Sequence, residues 1–272
     1  MTENNYHRGV DVSSIQGAID YGWLKAQGIS FVVVKCGNGN DGIDGDYNKN
    51  VAAAKAAGLL VACYNVVYPL PVPADPTANQ SLRDPIKQAQ YHFNAAGPGV
   101  VAACDLEWPL PGAGWTGYGC SASQIAAWTL AYLAEYSRLN GQKMVLYSYP
   151  SFMESVGFSS EITQYPLWIA SYTNSPAIPK PYTDWAWWQQ AGGSAMKLPN
   201  GVPIDTNYAK DLSLWEVQPV AAPVPVPVIT PMLVPAPQPV PNASTTTNQS
   251  TPSGFLTIVK TLMTQLLKLF QR

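Results

Sequence analysis

The chain has 272 residues, 47% hydrophobic and only 12% charged, with a net charge of −2. That apolar content supports a packed core and excludes wholesale disorder, and the sparse basic residues exclude a nucleic-acid surface. The length fits one large domain or two small ones.

Taken in order, Met1 to Arg8 has no apolar signal-peptide core. The expectation is synthesis in a host cytoplasm without a signal peptide, with release to the site of action by another route. Short apolar runs then alternate with helical patterns. Strands are predicted at 9–11, 31–35, 59–64, 100–105, 144–147 and 167–170, and helices at 46–57, 81–96 and 121–140. Asp46 and Ser121 fit helix N-caps, while Gly58, Gly97 and Gly141 fit helix stops. Residues 38–46, rich in Asn, Asp and Gly, read as a solvated turn-rich loop, since their spacing does not match a calcium loop. The continuous apolar strands suit a parallel sheet buried on both faces, so the pattern predicts an α/β fold, a (β/α) barrel of TIM-like type. Past Ala170 the helical signal fades, and 185–189, 202–205 and 212–217 look like strands without long helices between them, which makes the barrel irregular.

Composition divides the chain into 1–217, 218–253 and 254–272. All 17 acidic residues and 12 of the 15 basic ones precede residue 218, so an acidic body of net charge −5 carries a basic tail of +3. Nine of the 25 prolines fall between Pro219 and Pro241, where Pro-Val repeats favour extended polyproline II, a semi-rigid Pro-rich linker. In the last segment apolar residues recur at 255, 256, 259, 262, 263, 266 and 270, the period of a C-terminal amphipathic helix. Three roles stay open for it: contact with a membrane surface, oligomerisation, or docking on the body. Cys36, Cys63, Cys104 and Cys120 show no metal or disulfide spacing, and Cys63 and Cys104 read as buried thiols. With His7 and His92 the only histidines, no metal and no cofactor is expected.

The chemistry concentrates at Asp105-Leu-Glu107, which ends the fourth predicted strand, with Trp108 next. Strand alternation points Asp105 and Glu107 the same way, and the C-terminal strand ends of a barrel form its active-site mouth. Two acids there can separate in proton affinity, one acting as acid and one staying ionised, as glycoside hydrolysis requires. A helix cap or surface ion pair is the plain alternative. Asp11 and Asp205 also close apolar stretches, and four acids at separate strand ends would converge on one mouth. Tyr64, Trp168, Tyr172 and Trp188 lie at or just beyond strand ends, where flat rings suit sugar faces, although such aromatics also serve as core.

These pieces stand together in one order: Gly9-Val-Asp-Val-Ser-Ser-Ile-Gln-Gly17, 29–35, 56–64, Asp105-Leu-Glu107, Leu146-Tyr-Ser148, 166–172, Trp188-Gln189 and Ile204-Asp-Thr-Asn207. In this the chain from about Arg8 to Val217 resembles the glycoside hydrolase family 25 lysozymes, the muramidases common among phage endolysins and autolysins. The resemblance implies an irregular barrel that cleaves the β-1,4 bond between N-acetylmuramic acid and N-acetylglucosamine of bacterial peptidoglycan. Glu107 would be the general acid, with Asp11, Asp105 and Asp205 as acidic companions and Tyr64, Trp168 and Tyr172 lining the sugar groove. It implies retention of stereochemistry, with a carboxylate or the substrate's own acetamido group as nucleophile; in the second route Asp105 or Asp205 would orient that group. The chain departs from the family at Lys35-Cys-Gly-Asn-Gly39 and Tyr64-Asn-Val66, and inserts 68–83 after the third strand. The rival expectation is a non-catalytic glycan-binding module or virion structural protein on a degenerate barrel.

Overall fold

The computed structural model describes residues 6–40, 42–69, 84–107 and 119–216. The Pro-rich linker, the 254–272 helix, Trp108 and most of the 68–83 insert lie outside the described residues.

The sheet contains β1 (His7–Val12), β2 (Ile29–Asn38), β3 (Gly42–Ile43), β4 (Leu60–Val66), β5 (Val101–Asp105), β6 (Val145–Ser148), β7 (Leu167–Ala170), β8 (Trp187–Lys197) and β9 (Pro203–Ala209). Neighbouring strands run β1-β2-β4-β5-β6-β7-β8-β9, and β9 pairs back onto β1, so eight strands form a barrel-like ring. Pairing is parallel from β1 round to β8, while β9 is antiparallel to both its neighbours. This reversal changes one expectation. Asp205 sits near the start of its strand rather than its end, yet reaches the same mouth because β9 runs the other way.

Helices α1 (Tyr21–Ala26), α2 (Tyr47–Ala56), α3 (Pro85–Ala96), α4 (Ala122–Asn140) and α5 (Pro150–Val156) complete the described fold. Ser121 caps α4 in a reciprocal box with Gln124, as its sequence position predicts. The start predicted at residue 81 moves to Pro85, because Asp84 accepts hydrogen bonds from the Ile86 and Lys87 amides and Pro85 suits the first helical turn. Asp46 precedes α2 without capping it through its side chain and lies 3.6 Å from Lys49 instead. The turn-rich loop at 38–46 contains β3, a short antiparallel return onto β2, with Asp44 accepting from the amide and hydroxyl of Ser14.

The core has two parts, set by strand alternation. Outward residues such as Val10, Val32, Cys104, Leu146 and Ile169 pack beneath the helices, and inward residues such as Phe31, Val33, Ala103, Trp168 and Trp187 fill the barrel. The strand predicted at 212–217 is instead a 3₁₀ turn, Ser213–Trp215. Its Trp215 ring stacks on Trp187 at 4.9 Å and sits 5.0 Å from Phe31, which packs the barrel interior at the end away from the mouth. All four cysteines are buried free thiols. Cys63 Sγ lies 3.4 Å from His92 Nε2, and His92 Nδ1 lies 2.9 Å from the Tyr132 hydroxyl. Burial pushes His92 down to about 3, so it is a neutral core residue.

Gly9 faces the barrel interior, and a Cβ there would lie 2.3 Å from the fully buried ring of Phe31. Phe31 is wedged against Trp187 and Trp215 and has no room to withdraw. Gly9→Ala is therefore expected to destabilise the fold by about 1–3 kcal/mol, an overpacking cost readable in urea unfolding.

Candidate active site

Asp11 and Asp205 form a directly opposed cross-strand pair between β1 and β9. Both side chains enter the barrel, flanked along their strands by outward Val10 and Ile204. Asp105 is the last residue of β5, and the next amide, Leu106, still donates to Tyr147 O of β6 at 3.0 Å. That extra rung prolongs the alternation: Leu106 packs outward into the core and Glu107 returns to the side of Asp105. The structure thus brings the four predicted acids into one electrostatic cluster.

An amide network holds them. Asp11 Oδ2 accepts from Asn207 Nδ2 at 2.7 Å and from Gln189 Nε2 at 2.9 Å. Gln189 Nε2 also lies 3.4 Å from Asp205 Oδ2, while Gln189 Oε1 accepts from the hydroxyls of Tyr147 and Tyr172 at 2.9 Å each. Asn207 Oδ1 accepts from the Trp168 indole N–H at 2.9 Å. Asp205 Oδ1 takes a 2.5 Å hydrogen bond from the Gly193 amide. A side chain at Gly193 would place its Cβ 2.9 Å from Pro203, so the close approach of this backbone to β9 requires glycine.

Every one of the four acids holds its proton more tightly than usual. Burial, then the Asp205 charge, push Asp11 up to about 7 against the opposing amide hydrogen bonds. Burial and the Glu107 charge raise Asp105, whose Oδ1 is buried with no hydrogen-bond partner among the described residues. Burial raises Glu107, opposed by the nearby Lys35 ammonium and reinforced by Asp205. Burial raises Asp205, opposed by the Gly193 amide. The arrangement can therefore keep one carboxyl protonated at neutral pH beside others that ionise, the requirement for acid-assisted displacement. Because the four interact, their protons leave in successive steps that belong to the cluster and not to single residues.

The aromatic expectations divide. Tyr172 is 61% exposed, and Tyr64 is half-buried within reach of the Asp11, Asp105 and Asp205 charges; both belong to the acid cluster. Trp168 is 2% exposed, packed edge-on against Tyr147 at 4.5 Å, and acts here through its hydrogen bond to Asn207. Trp188 is not brought to the cluster: it is 5% exposed in the outer core, its indole N–H on the Ser171 carbonyl at 2.7 Å. Alternation puts Trp187 and Trp188 on opposite faces, and Trp187 takes the inner one. Site residues not singled out from sequence are Lys35, Tyr147, Gln189 and Asn207. Two of them have a local signal, since Asn207 lies two residues beyond Asp205 and Gln189 two beyond inward Trp187. Among the described residues no group of three or more His, Cys, Asp or Glu could hold a metal ion.

Residues 10–197 match the sequence model described as glycosyl hydrolases family 25. The chain is 26% identical over 194 residues to lysozyme M1 of Streptomyces globisporus, covering 67% of this chain and 60% of that protein. It is 28% identical over 180 residues to the autolytic lysozyme of Clostridium acetobutylicum, covering 65% of this chain and 47% of that one. The chain thus spans about half the length of these two relatives. In fold it is similar to the bacterial lysozyme from Streptomyces coelicolor, with a TM-score of 0.66 and 23% identity over 77% of this chain and 94% of the other. The family model spans most of the described body and all of the acid cluster except Asp205, and on that match the chain belongs to glycosyl hydrolase family 25.

Proposed function

We propose that this chain is a lysozyme, an N-acetylmuramidase that hydrolyses the β-1,4 bond between N-acetylmuramic acid and N-acetylglucosamine in bacterial peptidoglycan. The observation that carries the reading is the convergence of Asp11, Asp105, Glu107 and Asp205 from separate strands, all with raised proton affinity, beside exposed Tyr172. The family match and the lysozymes named above support it.

In this reading Glu107 is the general acid. It is only partly buried, so the glycosidic oxygen can approach it, and burial raises its affinity for the proton it must deliver. Asp205, half-buried and held by the Gly193 amide, is the carboxylate best placed to meet the substrate's acetamido group or the developing positive charge at the anomeric carbon. Asp11 and Asp105 are deeper and shape the field around the other two. The ring of Tyr172 offers a flat face for a sugar. A non-catalytic glycan binder has no use for four carboxyls crowded together, two of them buried, at a cost in stability. The test is product analysis on purified peptidoglycan. New reducing ends on N-acetylmuramic acid are expected; unchanged glycan, or reducing ends on N-acetylglucosamine, overturns the assignment.

The reading extends to a TIM-like barrel in a phage endolysin that is made in a host cytoplasm and acts on the wall after release. The basic amphipathic segment 254–272 then serves to contact a membrane. Removing residues 218–272 is expected to leave hydrolysis of purified walls unchanged and to reduce killing of cells that carry an outer membrane. Equal killing rejects the membrane role, and conversion of an oligomer to a monomer in sedimentation assigns the segment to assembly.

A further inference from the structure

We infer that Gln189 is a positioning residue that fixes the Asp11–Asp205 pair, ties it to Tyr172 at the mouth, and thereby sets the lower edge of the pH range in which the site works. This rests on the hydrolytic reading above. Gln189 is buried on β8, between Ala170 of β7 and Asn207 of β9. Its amide has two acceptor sites and two N–H donors, and all four are engaged.

The orientation of that amide is not arbitrary. Tyr147 and Tyr172 are both held well above the usual phenol range by burial and then by nearby carboxylate charge, so they remain hydroxyls with a proton to give. With Oε1 taking both hydroxyl protons, Nε2 faces Asp11 and Asp205; the flipped amide would set its oxygen against those carboxyls wherever they are ionised. One side chain therefore spans β6, the segment after β7, β1 and β9. It also couples the exposed ring of Tyr172 to the buried acid Asp11.

The consequence is electrostatic. Asp11 and Asp205 are opposed like charges, and from farther round the ring they face Glu107, Asp105 and Tyr64, with Lys35 the cation beside Glu107 and Asp105. Burial and these like charges favour protonation. The amide donors of Gln189 and Asn207 favour the ionised form of Asp11. A reaction that needs one ionised companion to Glu107 gains rate as pH rises through the ionisation of that pair. Loss of the Gln189 donors moves this limb upward and frees Tyr172, which weakens substrate binding.

The experiment uses the full chain and its Gln189→Leu and Gln189→Glu variants on a purified cell-wall suspension, with kcat and KM followed across pH and folding checked by circular dichroism. Gln189→Leu is expected to shift the acid limb up by about one pH unit, the effect of one lost hydrogen bond to a charged group, and to raise KM. Gln189→Glu donates only while protonated, so it should restore activity at the acid end and lose it as a further anion forms. Folded variants that keep the wild-type pH profile, merely scaled, overturn the inference. A titration of ¹³C-labelled aspartate carboxyls reads the same point without activity: the Asp11 and Asp205 midpoints should rise in Gln189→Leu, and unmoved midpoints overturn it. Should the Leu variant not fold, the Glu variant carries both measurements. If the wild type itself releases no muramic reducing ends, the hydrolytic reading fails, and the carboxyl titration still decides the positioning role.

Discussion

Glu107→Gln is expected to lower hydrolysis of purified cell walls by about 100- to 10,000-fold, the contribution of a positioned general acid, while the fold is retained. Glutamine has the same shape and hydrogen-bonding reach but no proton to deliver to a leaving oxygen. Glu107 follows the last residue of β5 and is only partly buried, so the exchange removes a carboxyl without opening a cavity. Removing it also withdraws a negative charge from beside Asp105, whose affinity for its proton should fall. The residual activity carries a second signature. In the wild type, the rate is expected to decline on the alkaline side as Glu107, whose hold on its proton burial strengthens, gives it up. That limb should vanish in the variant. Full activity, or an unchanged alkaline limb, would remove Glu107 from the role of acid.

Much of this site was legible before any coordinates. Apolar runs that end in Asp or Glu are local patterns, and alternation along an extended chain places Asp105 and Glu107 on one side without knowledge of neighbours. What was not legible depends on pairing. A period of two reads the same in either direction, so nothing in Ile204-Asp-Thr-Asn207 shows that β9 runs antiparallel and offers Asp205 from near its start. Alternation separates Trp187 from Trp188 but does not say which faces inward; the stack of Trp187 on Trp215 settles it. Gln189 and Asn207 are neutral amides of ordinary appearance, and their roles exist only through Asp11, 178 and 196 residues away. Helices α1 and α5 have six and seven residues, fewer than two turns, too short for a hydrophobic period to repeat.

Asp11 separates activity from stability, and Asp11→Asn is expected to gain stability at alkaline pH as it loses activity. The sign follows from linkage. In the unfolded chain Asp11 ionises near 3.8, and in the folded one burial and the Asp205 charge hold it at about 7. Between those values the folded state binds a proton that the unfolded state has released, so stability declines as pH rises through that window. Below it both states are protonated and Asp11 adds no pH dependence; above it the folded state bears the full cost of a buried charge. Asparagine can present its carbonyl oxygen where Oδ2 now accepts from Gln189 and Asn207, so the hydrogen-bond geometry survives the exchange. The variant should match the wild type near pH 4 and exceed it near pH 8 by an amount on the order of a few kcal/mol, with part of the slope between them remaining from Asp105, Glu107 and Asp205. Urea unfolding at the two pH values measures it. A variant less stable than the wild type at pH 8 would mean that Asp11 is retained for its hydrogen bonds, whereas a gain there means that the fold carries this carboxylate at a loss for the sake of the chemistry at the mouth.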